Sequence, residues 1–318
     1  MDYFDSLLEN WEIRIIPSLS LRKYLYGDIS NPPVYYTNIT SEWLFMKPTL
    51  PTVFSIVYLT IVFYNVSKRS TTSFLSTSSP STLNTTPKPS SPVLNYIVVL
   101  HNIFLCLLSV YMSIETLLAA YETFGWKTNF RLFCNSMDLS FTSSSSSSVI
   151  EFTPAGQRLA NVIYIHYLSK FYEYIDTFIM LYKGNYRQVS FLHVYHHVMT
   201  GFPIWYLNLK YNPGAECWLC CFLNSLVHVF MYAHYALTAL KWSRLPKLYI
   251  TLFQIIQFGI YLIQSTYLII NDCYRPMISV WSLFFNSVLF ITLFIQFYRK
   301  ESKEEKKLIV VNATNKTK

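Results

Sequence analysis

Charged residues are scarce in this sequence of 318 residues: Asp, Glu, Lys and Arg together make up 13% of it. A soluble globular chain carries about 25%. Hydrophobic residues supply 52% and aromatic residues 18%, and the mean hydropathy is +0.28. So little charge excludes an ordinary soluble protein, and it predicts that lipid covers much of the surface.

Other features are missing too. The first residues, "MDYFDSLLENWEIRIIPSL", mix acids and bases with apolar residues, so no signal peptide is expected there. The 6 cysteines show no metal-type spacing, which argues against a zinc site. The net charge of +8 lies in short loops and a tail, without a soluble domain to present it, so nucleic acid is not an expected partner.

Long apolar stretches are what the sequence contains instead. A helix needs about 20 mostly apolar residues to cross the hydrocarbon core of a bilayer. Seven stretches meet this requirement and predict an all-α membrane protein. The predicted spans are 49–66, 93–120, 159–182, 189–208, 215–240, 248–270 and 278–298.

The spans divide the chain into three parts. Residues 1–48 precede the first span, 49–298 form one membrane domain, and 299–318 form a basic tail. Low-complexity insertions rich in serine interrupt the domain at 67–92 and 140–150, and such composition predicts disorder.

The distribution of Lys and Arg predicts the orientation, because cytosolic loops carry the excess. Of the 25 such residues, 15 lie on the side of the carboxyl terminus and 9 on the other, with Lys170 inside a span. The carboxyl terminus is therefore expected in the cytosol and the amino terminus in the lumen.

Polar residues inside the spans are the candidates for function, since each charge at a bilayer centre costs about 2.5–3.5 kcal/mol. In "KFYEYIDT", helical spacing puts Lys170, Glu173 and Thr177 on one face, with Asp176 on its flank. Opposite charges can neutralise one another there. The alternative interpretation is a structural ion-pair cluster that holds two helices together.

All 7 histidines fall within predicted spans. In "HVYHH", the spacing i, i+3, i+4 places His193, His196 and His197 on one side of a helix. On the fifth span, Asn224, His228, Tyr232 and Tyr235 recur along one face. On the sixth span, Gln254, Gln257 and Gln264 recur at helical spacing, where interhelical hydrogen bonding and the lining of a substrate passage are both open.

Two kinds of chemistry use clustered histidines. A metal-dependent membrane oxygenase is one, but the fatty acid desaturases have three histidine boxes and this chain has one, so at most a mononuclear site remains open. The other is direct nucleophilic catalysis. Burial disfavours the charged imidazolium, so a desolvated histidine stays neutral and able to attack a thioester.

Four motifs, in order and on successive spans, resemble the signatures of the ELO family of very-long-chain fatty acid elongases. They are "KFYEYIDT" (170–177), "HVYHH" (193–197), "NSLVHVFMY" (224–232) and "TLFQIIQ" (251–257). The resemblance runs from about residue 45 to about residue 300, apart from the insertions. One departure is His234, which stands where family members commonly have a tyrosine.

The resemblance implies seven spans, the last six forming a barrel around an acyl tunnel, in the endoplasmic reticulum membrane. It implies a 3-ketoacyl-CoA synthase that condenses a long-chain acyl-CoA with malonyl-CoA and releases CO2 and CoA. No cofactor or metal is implied. Expected partners are membrane lipid and the reductases and dehydratase of the elongation cycle, and a homodimer is also allowed.

The same resemblance assigns roles by motif position. His196 is implied as the nucleophile, with His193 and His197 orienting it or moving protons and His228 facing it across the site. The polar side of the site is expected to comprise Lys170, Glu173 and Asp176, and its hydrogen-bonding partners Asn224, Tyr232, Gln254 and Gln257. The basic residues expected to meet CoA phosphates, or to be ordinary positive-inside residues, are Lys183, Arg187, Lys241, Arg244 and Lys247.

Further implications concern the loops and the substrate. Cys134 and Cys273 resemble a loop-to-loop cysteine pair of elongases, so a lumenal disulfide is predicted. Asn38 in "NIT" is a candidate for lumenal glycosylation, whereas a glycan on Asn84 would reverse the topology. Gln188 and the tyrosine within "HVYHH" resemble elongases of polyunsaturated substrates. A seven-span receptor or transporter is the rival class, but it does not require this histidine pattern.

Overall fold

The computed structural model describes residues 40, 42–75, 91–125, 133–135, 139–144, 147–211, 213–242, 247–273 and 277–316. Within these residues the chain is mostly helical. The helices are α1 (Thr49–Leu75), α2 (Pro92–Phe124), α3 (Pro154–Tyr172), α4 (Tyr174–Tyr182), α5 (Phe191–Met199), α6 (Trp205–Tyr211), α7 (Cys217–Ala239), α8 (Lys247–Ile270) and α9 (Ile278–Lys316). The remaining elements are a 3-10 turn (Leu44–Met46), strands β1 (Leu139–Ser144) and β2 (Ser147–Phe152), and a π-helical turn (Thr200–Ile204).

Five of these helices are long and apolar enough to cross a membrane. Their spanning segments are Thr49–Arg69, Pro92–Phe124, Cys217–Ala239, Leu248–Ile270 and Ile278–Lys307. They coincide with the first, second, fifth, sixth and seventh predicted spans, and they fit a multi-pass membrane protein. The number seven and the barrel stay predictions.

The third and fourth predicted spans are each divided. The first of them, 159–182, has a single turn residue, Glu173, between α3 and α4. The second, 189–208, contains the π-helical turn between α5 and α6, with Pro203 inside it. Proline lacks the backbone N–H and its ring collides with the preceding turn, so a regular helix is not maintained there. Both interruptions lie in the segments that carry the candidate active-site residues.

The insertion at 140–150 was predicted to be disordered, but its residues 140–144 and 147–150 lie in two strands. Strands β1 and β2 pair antiparallel, with Leu139 opposite Phe152 and Ser144 opposite Ser147. The prediction was wrong because it weighed the serine run alone, whereas Phe141, Thr142, Val149 and Ile150 around the serines favour extended structure. Of the other insertion, residues 67–75 continue α1, and residues 76–90, which include Asn84, lie outside the described residues.

The core runs between the helices rather than through a sheet. Helix α7 packs along α2, and α8 packs along α9. Large side chains fill the space enclosed by α1, α3, α6 and α9, and these include Tyr58, Leu159, Ile163, Tyr167, Tyr211 and Phe290. Apolar side chains of α1, α2 and α8 point outward instead, as expected where lipid is the solvent.

A disulfide marks one end of this bundle, which we call the disulfide end. It joins Cys134, in the segment before β1, to Cys273, in the turn after α8, with 5.3 Å between the Cα atoms. This is the pair that the family resemblance implies. A small apolar cluster of Leu268, Met277 and Val280 packs beside it.

Two ion-pair groups away from the predicted motifs were missed by the sequence analysis. At the disulfide end, Arg158 on α3 binds Glu115 on α2 through two hydrogen bonds of 2.6 and 2.9 Å, and Glu122 through one of 2.7 Å. At the opposite end, Arg187 donates to Glu304 at 2.8 Å. Glu304 belongs to the predicted tail, which continues α9 as a helix to Lys316.

Candidate active site

A buried ion pair forms the centre of the site. Lys170 Nζ lies 2.9 Å from Glu173 Oε1, and the two side chains are 1% and 2% exposed. Lys170 also donates to Asn224 Oδ1 at 2.8 Å, and His228 Nδ1 lies 3.4 Å from Glu173 Oε1. The pair therefore holds no net charge, and it joins the end of α3 to the face of α7 predicted to meet it.

The spacing of this motif explains how it reaches two partners. The Glu173 N–H donates to the Ser169 carbonyl at 2.9 Å, Glu173 keeps helical dihedral angles, and α4 follows it directly. Lys170 and Asp176 are six residues apart, which is about 120° around a helix. Lys170 therefore faces α7, while Asp176 is directed toward α2.

Asp176 is shared between two other helices. Its Oδ1 lies 2.7 Å from His101 Nε2 on α2, and its Oδ2 accepts a hydrogen bond of 2.8 Å from the Tyr232 hydroxyl on α7. Tyr232 was predicted to be in the site, but His101 was given no role. The only signal for His101 in the sequence was an imidazole inside a predicted span.

The histidine triplet lies on α5, whose start is fixed by Ser190. The Ser190 hydroxyl accepts a hydrogen bond of 3.2 Å from the His193 N–H, as an N-cap. The His193 Nε2 lies 2.8 Å from the Thr177 hydroxyl, which is 3.0 Å from that of Tyr58. These contacts join α5 to α4 and α1.

The three rings are close to one another. The His193 and His197 ring centroids are 4.4 Å apart, and those of His196 and His197 are 5.6 Å apart. Among the described residues, Nδ1 of the buried His197 has no hydrogen-bond partner. The predicted convergence of the triplet on one side of a helix therefore agrees with the observed arrangement.

His196 faces a narrow internal cavity of about 40 Å³. Asn224 of α7 and Gln257 of α8 line the same cavity, as do Asn286 and Phe290 of α9. The Phe290 ring packs 5.4 Å from that of His196. Within the described part of the chain, Gln257 Oε1 is a buried acceptor without a hydrogen-bond partner.

The seventh predicted span contributes to the site in a way the sequence did not show. Asn286 Oδ1 accepts a hydrogen bond of 3.0 Å from the Tyr195 hydroxyl, which lies within the histidine triplet. Since Asn286 belongs to none of the four motifs, no pattern in the sequence pointed to it.

Other predicted residues lie apart from this cluster. The Gln254 amide is 4.0 Å from the Met231 sulfur and does not line the cavity. Three basic residues lie at the end opposite the disulfide, which we call the basic end. Lys183 follows α4, Lys241 follows α7 and is exposed, and Arg187 pairs with Glu304. Lys247 is the first residue of α8. Arg244 and Asn38 lie outside the described residues.

A metal site would need several His, Cys, Asp or Glu side chains around one ion. Across the described ranges, no three His, Cys, Asp or Glu side chains are placed to bind one metal ion. His228 lies 3.4 Å from Glu173 Oε1 and faces the Lys170 ion pair. The imidazoles instead contact hydroxyl, carboxylate and aromatic groups.

Comparison with known proteins assigns the family. The ELO family model, described as the GNS1/SUR4 family, matches residues 43–308. The chain belongs to the ELO family. This confirms the resemblance seen in the four motifs. Similar ELO proteins include very long chain fatty acid elongase 4 of Homo sapiens, which is 32% identical over 219 residues, or 66% of this chain and 63% of that protein.

Two further relatives span different parts of the chain. Very long chain fatty acid elongase 5 of Tachysurus fulvidraco is 30% identical over 279 residues, which is 83% of this chain and 81% of the relative. Fatty acid elongase 6 of Leishmania major is 40% identical over 174 residues, 52% of this chain and 41% of the relative. The chain thus spans less than two thirds of the length of the human relative and more than two thirds of the length of the Tachysurus fulvidraco relative.

Proposed function

We propose that this ELO-family protein is a 3-ketoacyl-CoA synthase of fatty acid elongation. It condenses a long-chain acyl-CoA with malonyl-CoA and releases CO2 and CoA. The observation that carries this proposal is the position of His196, which borders a cavity inside the apolar bundle and lies next to a charge-neutral polar cluster. The relatives named above, which are fatty acid elongases, support it.

The first half of the reaction uses His196 as the nucleophile. One ring nitrogen attacks the thioester carbonyl, a C–N bond forms, the C–S bond breaks and CoA leaves as its thiol after taking up a proton. His193 and His197 are the proton-transferring candidates, since their rings are 4.4 Å apart and His197 packs against His196. The acyl group is then held on His196, inside the cavity.

The second half uses malonyl-CoA. Its carboxylate leaves as CO2, and the electron pair of the broken C–C bond forms an enolate whose oxygen needs hydrogen-bond donors. The enolate carbon attacks the acyl-imidazole, a new C–C bond forms, and the C–N bond to His196 breaks. The product is a 3-ketoacyl-CoA that is two carbons longer, and His196 is restored.

Asn224 is the proposed donor to that enolate. The Lys170 ammonium can only donate, so Asn224 offers it Oδ1, at 2.8 Å. The two N–H donors of the Asn224 amide are thereby directed away from Lys170, and Asn224 lines the cavity with His196. A fixed amide of this kind stabilises developing charge without rearrangement.

Substrate entry requires a change in the cavity. A volume of about 40 Å³ holds one or two water molecules, not an acyl chain. The helices that line it, α5 to α9, must therefore separate when the chain enters. We propose that the protein chain makes seven spans in the endoplasmic reticulum membrane and that the last six form the predicted barrel around the acyl chain.

In that membrane the carboxyl terminus faces the cytosol. Lys183, Arg187 and Lys241 then lie on the side where the CoA phosphates would bind, and no cofactor takes part. Membrane lipid and the other enzymes of the elongation cycle are the proposed partners. A second copy of the chain, in a homodimer, is a further candidate partner.

Purified protein incubated with malonyl-CoA and a panel of acyl-CoAs tests the function. The proposal requires stoichiometric CO2 and a 3-ketoacyl product longer by two carbons. Binding of acyl-CoA without turnover would favour a receptor or transporter. Turnover that depends on oxygen and a bound transition metal would favour a lipid oxygenase. His196→Ala serves as the matched inactive control.

A further inference from the structure

A second buried carboxylate lies at the disulfide end, away from the His196 site. Glu216 immediately precedes α7 and is 6% exposed. Its Oε1 accepts hydrogen bonds from the backbone N–H of Asn135 and from the Asn135 side-chain amide, the latter at 3.0 Å. Two donors from one residue thus hold one oxygen of this carboxylate.

Gln264 of α8 holds the other side of Glu216. Its Nε2 donates to the Glu216 carbonyl at 3.1 Å and to Oε2 at 3.3 Å. Its Oε1 accepts a weak hydrogen bond of 3.4 Å from the Cys220 thiol. Both oxygens of the carboxylate are therefore bound by donors that come from two separate parts of the chain.

This cluster borders a second cavity, which lies next to that of His196. Glu216 and Gln264 line this cavity of about 20 Å³, together with Cys217, Leu268 and Ser279. Three residues, Asn208, Cys220 and Leu283, line both cavities and separate them. A chain attached at His196 and directed away from the basic end would have to part these shared residues to arrive at Glu216.

A carboxylate bound in this way stops an apolar chain. The methyl end of an acyl group offers no hydrogen bond, so displacing Asn135 or Gln264 would leave a buried charged group unsatisfied. A buried group that loses its hydrogen-bond partner is left desolvated without compensation, and the cost is greatest when the group is charged. Extending the chain past Glu216 is therefore opposed by the loss of these hydrogen bonds as well as by steric contact.

The disulfide fixes this stop in place. Asn135 directly follows Cys134, which is bonded to Cys273 in the turn after α8. Gln264 lies on α8 itself, and Leu268 packs in the apolar cluster beside the disulfide. The bond thereby ties the segment that supplies Asn135 to the helix that supplies Gln264.

We propose that Glu216, held by Asn135 and Gln264, is the closed end of the acyl-binding path and sets the longest chain that this protein elongates. The inference rests on the proposed synthase function. Glu216 is a specificity-determining residue in this account, since it meets the terminal methyl group and takes no part in the chemistry at His196.

The test compares product lengths, not rates alone. Wild-type protein, Glu216→Ala and Ser279→Leu are each supplied with malonyl-CoA and saturated acyl-CoAs of increasing length, and the products are measured by mass spectrometry. Glu216→Ala opens the end, so the longest accepted acyl-CoA gains at least two carbons. Ser279→Leu fills the second cavity, so the limit falls by at least two carbons, while short substrates react as before.

Glu122→Ala is the matched control. It removes a carboxylate from the same end of the bundle, but Glu122 pairs with Arg158 and lines neither cavity. Its length limit is expected to equal that of wild type. A double variant, Cys134→Ser with Cys273→Ser, should also form some products longer than those of wild type. The reason is that Asn135 is no longer held in place by the disulfide.

The outcomes separate the two proposals. Wild type that turns over no acyl-CoA contradicts the synthase function. Active wild type with an unchanged length limit in both Glu216→Ala and Ser279→Leu contradicts the present inference alone. If Glu216→Ala fails to fold, an unchanged limit in Ser279→Leu is sufficient to overturn it.

Discussion

The middle of the bundle and its disulfide end both bury a carboxylate, and they satisfy it differently. Glu173 is neutralised by Lys170 and has His228 beside it. Glu216 is bound by the amides of Asn135 and Gln264. The first cluster brings together groups that can exchange protons, whereas the second brings together amides that keep theirs.

The two clusters also differ in the buried polar atoms nearby that lack a hydrogen-bond partner. Near the middle cluster, and within the described residues, His197 Nδ1 and Gln257 Oε1 are buried without a partner. Such atoms are costly unless a substrate or water completes them. At the disulfide end both carboxylate oxygens of Glu216 are bound, and the described atoms left without a partner are the indole nitrogens of Trp218 and Trp281. The following variants test the proposed reactive region at His196 and the proposed boundary at Glu216.

The largest effect is expected at His196. His196→Ala should lower turnover by at least about 1,000-fold, because loss of a covalent nucleophile removes the main route of catalysis. Circular dichroism in detergent should remain that of wild type, since the His196 ring forms no ion pair with any residue that the structure describes. Wild-type turnover by this variant would reject the covalent mechanism.

Replacement of Lys170 should destabilise the fold. Lys170→Met leaves the buried Glu173 charge unpaired, and breaking a buried pair costs about 3–5 kcal/mol. The double variant with Glu173→Gln should recover much of that loss in a thermal unfolding assay. A double variant no more stable than Lys170→Met would show that the pair is not coupled.

A smaller effect on rate is expected at Asn224. Asn224→Asp keeps an acceptor for Lys170 and removes both N–H donors, so kcat should fall by about 100-fold with little change in KM. Steady-state kinetics with varied malonyl-CoA measures this split. A change confined to KM would assign Asn224 to binding alone.

The smallest effect is expected at the exposed basic end. Arg187 is 83% exposed, so its pair with Glu304 contributes within about 1 kcal/mol, and Arg187→Ala should unfold at nearly the wild-type temperature. If it also meets CoA phosphates, KM for acyl-CoA should rise and the rise should diminish at high salt. An unchanged KM at low salt would remove Arg187 from the binding site.

The sequence predicted the parts of this structure that depend on local pattern. Apolar length located five membrane helices, and helical spacing placed the three histidines of α5 together. The family motifs brought Lys170, Glu173 and Asn224 to one place. The first two features follow from spacing along single helices, which a sequence shows directly. The third joins α3 to α7 and was predicted only through the family resemblance.

Other features depend on contacts between distant segments. His101 binds Asp176 across 75 residues, and Arg158 binds Glu115 across 43. Neither pairing leaves a mark in the local sequence, because only the packing of helices decides which polar groups meet.

The central claim is that the His196 imidazole carries the acyl chain between the two substrates. Incubation with a long-chain acyl-CoA in the absence of malonyl-CoA, followed by rapid quenching and peptide mass spectrometry, tests it directly. The account predicts an acyl adduct on His196 that disappears when malonyl-CoA is added. A protein that turns over normally but never shows this adduct, or carries it on another residue, would contradict the account.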